Sequence, residues 1–112
     1  NTAISVASSG ANTLVAGVDY KKIRVWSYSY LCNGTVAVKF QSSSTDLTGA
    51  YTWTAQKGLV EPCGSQPLFD CAIGEPLIIN LSATTGVNGR LMYEMLGAAA
   101  PPDAPSGLGV TL

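Results

Sequence analysis

The sequence predicts an all-β protein, a single antiparallel β-sandwich with an extended C-terminal arm, jelly-roll-like in the favoured reading with an Ig-like topology left open by the pattern. Three observations carry this. Apolar and polar residues alternate with period two in several stretches, no window places apolar residues at helical spacing behind a cap, and turn residues recur about every ten positions. At 112 residues the chain is the size of one domain.

Residues 4–7 and 13–18 read as the first strands, separated by a turn at Ser8-Ser9-Gly10. Residues 22–31 form the longest candidate, with Ile23, Val25, Ser27 and Ser29 on one face and Arg24, Trp26, Tyr28 and Tyr30 on the other. Asn33-Gly34 follows, and residues 35–41 alternate again through Val36, Val38 and Phe40. Asn-Gly accepts the positive φ of a type I′ turn, so a hairpin is expected here. Residues 50–55 and 59–61 are further short strands, and 62–74 is expected to be mostly loop. Leu77, Ile79 and Leu81 line one face of a strand over 77–83. A second Asn-Gly, Asn88-Gly89, is expected to join it to a partner over 90–96. The domain therefore spans 1–96.

Residues 97–112 differ in character, with three of the six prolines, three consecutive alanines and one charge, Asp103. They read as an arm, whose stretch from Pro101 on is a candidate contact and whose end, an alternation of Leu108, Val110 and Leu112, suits strand addition to a neighbour's sheet edge. A frayed terminus is the plainer reading of the same residues.

Charged residues are only 12% of the chain and apolar residues 46%. Interface cores are depleted in charge, so a homo-oligomer or docked subunit is expected. A net charge of -1 offers no field for phosphate backbones, which disfavours nucleic acid. No apolar run reaches the roughly 18 residues of a membrane span, and the first residues lack the pattern of a signal peptide.

Candidate chemistry is sparse. Histidine is absent, which removes the commonest general base and transition-metal ligand, and no cofactor or metal is expected. Asp46, Glu61, Asp70 and Glu75 are dispersed and suit loop roles better than a glycosidase pair. Cys32, Cys63 and Cys71 make an odd set and read first as small buried thiols; a Cys63–Cys71 disulfide closing a Gly/Pro-bearing loop is the alternative. We expect no enzyme. What remains are surfaces: Lys21, Lys22 and Arg24 at one strand entrance, and the aromatic residues Trp26, Tyr28 and Tyr30, with Tyr51 and Trp53 as a smaller pair. Aromatic residues so spaced pack in a core, anchor a subunit contact, or stack on sugars.

The strings Lys22-Ile23-Arg24-Val25, Val38-Lys39-Phe40-Gln41-Ser42-Ser43-Ser44-Thr45-Asp46-Leu47-Thr48-Gly49, Gly74-Glu75-Pro76-Leu77-Ile78-Ile79-Asn80-Leu81-Ser82-Ala83 and Gly86-Val87-Asn88-Gly89 together resemble small β-sandwich virion proteins of tailed bacteriophages. The likeness spans roughly residues 10–96. It implies a capsid decoration (cement) protein, made in the host cytoplasm and carried on the capsid surface, with the major capsid protein as partner and a trimer as the favoured assembly. A carbohydrate-binding tail or fibre module is the alternative. Trp26, Tyr30, Trp53, the cysteines and the arm depart from the pattern, and it carries no catalytic residue to transfer. Lys21, Lys22, Arg24, the aromatic residues and the arm are the candidate contacts.

Overall fold

The computed structural model describes residues 2–97. Ten strands follow one another: β1 (Thr2–Val6), β2 (Gly10–Val15), β3 (Lys21–Cys32), β4 (Val36–Ser42), β5 (Thr45–Asp46), β6 (Tyr51–Trp53), β7 (Lys57–Glu61), β8 (Phe69–Asp70), β9 (Leu77–Leu81) and β10 (Val87–Gly97). One sheet runs β1-β10-β3-β7, with β8 pairing β3 beyond β7; the other runs β2-β9-β4-β5, with β6 also on β4. Every ladder is antiparallel.

Successive strands keep crossing between the sheets: β1 to β2, β2 to β3, β3 to β4, β6 to β7, β8 to β9 and β9 to β10. This is the interleaved double Greek key of a jelly roll, as the sequence predicts. The inner faces meet in one core. Val36, Val38, Phe40, Leu77, Ile79 and Leu81 come from the β9 sheet, and Ile4, Ile23, Val25, Tyr28, Tyr30, Val87 and Leu91 from the β10 sheet. Burying side chains of this size is worth about 1.5–3 kcal/mol each, which is what holds two otherwise solvated sheets together.

Both Asn-Gly expectations are corrected. Asn33-Gly34 joins β3 to β4, which lie in different sheets, and neither residue has a positive φ. It is a corner, pinned where the Asn33 N–H donates to the Gly86 carbonyl (2.8 Å). Asn88-Gly89 lies inside β10, with Asn88 between Ser5 and Leu31 and Gly89 between Ile4 and Tyr30. The expected pairing of 77–83 with 90–96 does not form, because β9 pairs β2 and β4 while β10 pairs β1 and β3. Turn chemistry is local; which sheet a strand joins is decided by which core it closes.

The faces expected for residues 22–31 are corrected too. Met92 lies opposite Ser27 and Tyr93 opposite Val25, so Trp26 is an extra residue in β3. A bulge of this kind shifts the alternation. Ile23 and Val25 point inward before it, and Tyr28, Tyr30 and Cys32 point inward after it.

Within 62–74, expected as loop, Phe69 and Asp70 pair with Val25 and Arg24. At the far end, Gly97 is still paired, opposite Lys21. The rest of the expected arm, with Pro101, Leu108, Val110 and Leu112, lies outside the described residues.

Candidate docking surfaces

The carboxylates serve the fold. Asp70 accepts from Arg24 through Nε (2.8 Å) and Nη2 (3.0 Å) and pairs with Lys22 Nζ (3.0 Å). The Arg24 bonds, aided by Lys22, hold its carboxyl below the usual range. Asp46 is held low by Gln41 and then Lys39, and Glu75 accepts from the buried Ser42 hydroxyl at 2.6 Å. Burial pushes the Cys71 thiol up to about 11 and raises Cys32 as well, the opposite of a reactive thiolate. The Cys63–Cys71 disulfide is not formed: all three cysteines are free, with Cys63 exposed and Cys71 buried. Among the described residues no cluster of metal-ligating side chains forms.

Of the contacts read from the sequence, Tyr28 and Tyr30 are withdrawn from the surface. Their rings stack 5.9 Å apart in the core, Tyr28 lies 4.6 Å from Phe40, and the Tyr30 hydroxyl accepts from Trp53 Nε1 (3.0 Å). Trp26, turned the other way by its bulge, donates from Nε1 to Glu94 Oε1 (3.1 Å). Trp53 is half-buried with exposed Tyr51 stacked on it. The expected row of Trp26, Tyr28 and Tyr30 therefore does not exist as one face. Lys22 and Arg24 are engaged by Asp70, which leaves Lys21 as the exposed member of that basic trio.

The outer surfaces of the two sheets differ. On the β9 sheet the polar side chains satisfy one another: Lys39 pairs with Asp46 (3.1 Å), Gln41 donates to Asp46 (2.8 Å), and Asn80 donates to Gln41 (3.1 Å). On the β10 sheet, β10 presents Asn88, Arg90, Met92 and Glu94, β3 presents Ser27, Ser29 and Leu31, and β7 presents Val60. Val60 is 69% exposed, Leu31 45% and Met92 42%. A groove of about 180 Å³ crosses this face. Its floor is Ser27 and Ser29, and its walls are Arg90 and Met92 on one side and Val60, Pro62 and Cys63 on the other. Small residues on β3 between bulkier neighbours create it.

A second surface sits at the end of the sandwich where β3 begins. The β2–β3 loop exposes Val18 and Tyr20, and the β8–β9 loop exposes Ile73, at 43%, 48% and 57%. The loops are locked together: the Gly74 N–H donates to the Lys21 carbonyl (2.7 Å), and a methyl on Gly17 would strike the Gly74 carbonyl oxygen. The Lys21 N–H closes a turn on the Val18 carbonyl (3.1 Å), with Tyr20 third in that turn at φ 62°. That position favours glycine, and a side chain there costs about 1 kcal/mol or more. Strain of this kind, retained beneath an exposed aromatic ring, points to use. The sequence reading missed this tip, because isolated apolar residues in two distant loops have no period to reveal them.

Comparison with protein-family models, curated proteins and solved structures returns no match.

Proposed function

We propose that this chain is a structural virion protein, a capsid decoration (cement) protein that binds the outside of a tailed-phage head and stabilises it by bridging copies of the major capsid protein. The observation that carries the reading is the apolar tip of Val18, Tyr20 and Ile73. Water-exposed apolar groups on interlocked loops are stabilised by insertion into a partner's socket, at about 25 cal/mol per Å² removed from water. Lys21 and Asp19, exposed beside the tip, supply a polar rim. The sequence resemblance to small phage virion proteins gives the partner its identity. A ligand that prefers the assembled shell shifts the shell toward assembly by mass action.

The alternative, a glycan-binding tail or fibre module, keeps as its aromatic platform only the Tyr51–Trp53 pair and the separate Trp26. The test adds purified protein to undecorated heads and heats them. Saturable binding with a rupture temperature raised by several degrees is the expected result. Heads that rupture unchanged, or protein that stays in the supernatant, rule the reading out.

A further inference from the structure

We infer that the outer face of the β10 sheet is where two copies of this chain pair about a two-fold axis. This inference does not depend on what the apolar tip grips, and it puts a dimer in place of the trimer that the sequence resemblance implies.

Arg90, Met92 and Glu94 follow one another on the outward side of β10, so the cation and the carboxylate stand about 13 Å apart with an exposed methionine midway. Arg90 forms no ion pair among the described residues. Glu94 is oriented by Trp26, which donates to its Oε1, and it stands opposite Arg24, whose own bonds go to Asp70, so Oε2 forms no bond among the described residues. Lay a second copy on this face with its β10 running the other way, and Arg90 of each copy meets Glu94 of the other while the two Met92 side chains meet near the axis. An isologous contact requires this reciprocity, in which residue i touches j and j touches i.

The relief of the face agrees. The serine-floored groove beside Met92, about 180 Å³, has room for one unbranched apolar side chain, and Met92 of the second copy is the one the two-fold delivers. Leu31 on β3 and Val60 on β7, both exposed, extend the apolar surface on the β7 side of Met92. The outer face of the β9 sheet has no such capacity, since its Lys39, Gln41, Asp46 and Asn80 are already bonded to one another.

Two central strands of 12 and 11 residues with shorter neighbours make a face of about 600 Å². A standard interface uses roughly 800 Å² per partner, so a face of this size suits a weak, reversible pair, with the strength set by its central contacts and not by area.

Sedimentation of the full chain across a concentration series tests this. Wild type is expected to pass from monomer to dimer. Met92→Asp, an exposed change that leaves the core untouched, and each of Arg90→Glu and Glu94→Arg are expected to weaken the dimer about tenfold or more. The double exchange Arg90→Glu with Glu94→Arg is expected to restore it, since the ion pairs re-form with reversed sign. Thermal unfolding of each variant checks that the fold is intact. A wild-type chain that stays monomeric at the highest concentration, a trimer, a dimer indifferent to all three single changes, or a folded double variant that remains monomeric would each overturn the proposal.

Discussion

Raising the pH from about 10 to about 12 is expected to lower this protein's stability by about 2 kcal/mol through Tyr30 alone, with Tyr28 adding to the loss. Tyr28 and Tyr30 are 5% and 4% exposed. Burial, reinforced at Tyr28 by its neighbour Tyr30, raises the Tyr28 hydroxyl well above its ordinary value and pushes Tyr30 up to about 12. The unfolded chain releases these protons near pH 10 and the folded chain holds them, so the folded state binds more protons as pH rises. Stability is therefore full below about pH 10 and falls by about 1.4 kcal/mol per pH unit for each tyrosine until the folded groups titrate. Cys71, raised to about 11, contributes in the same direction over a lower range. A marginal total of about 5–15 kcal/mol makes such a loss decisive. Urea midpoints measured through this range should fall steeply, and Tyr28→Phe should flatten the slope. A midpoint unchanged between about pH 9 and 12 contradicts the buried placement of both rings.

The second large effect is at Gly89. A methyl there would collide with the Ser29 carbonyl oxygen and carbon of the adjacent strand, and that strand is held in turn by β7. Backbone in the middle of a sheet yields poorly, so Gly89→Ala is expected to cost about 3 kcal/mol or to prevent folding. Gly10 is the internal control. Its φ is +88° but nothing lies within 4 Å of a Cβ there, so Gly10→Ala should cost only about 1 kcal/mol. Equal, small losses at both positions in urea unfolding would restore the turn reading of Asn88-Gly89.

That contrast marks where the sequence stops being informative. Alternation in Val36, Val38 and Phe40 and in Leu77, Ile79 and Leu81 exposes the buried faces directly, since a period of two has only one reading when half the positions are apolar. The sandwich class follows from it. Connectivity does not, because Asn33-Gly34 and Asn88-Gly89 carry the same turn preference whether the flanking strands share a sheet, face each other across the core, or are one strand.

The candidate surface was less legible for a related reason. Trp26, Tyr28 and Tyr30 look like one row until the bulge at Trp26 reverses the pleat, and only the register against Met92 and Tyr93 reveals the bulge. The basic trio reads as a patch until Asp70 is brought beside it from 46 residues away. Val60, Met92, Tyr20 and Ile73, the exposed apolar groups that matter for docking, sit in segments whose sequence gives no reason to prefer outside over inside.

The tip is the centre of the functional account, and Tyr20→Gly tests it most directly, because the substitution moves folding and binding in opposite directions. Glycine relieves the positive φ at that turn, so urea unfolding should show a gain of about 1 kcal/mol. Binding of the same variant to undecorated heads should weaken about tenfold or more, through loss of a central aromatic anchor. A better-folded protein that binds less well is the predicted result; full-strength binding by Tyr20→Gly, and again by Ile73→Asp, would contradict the account.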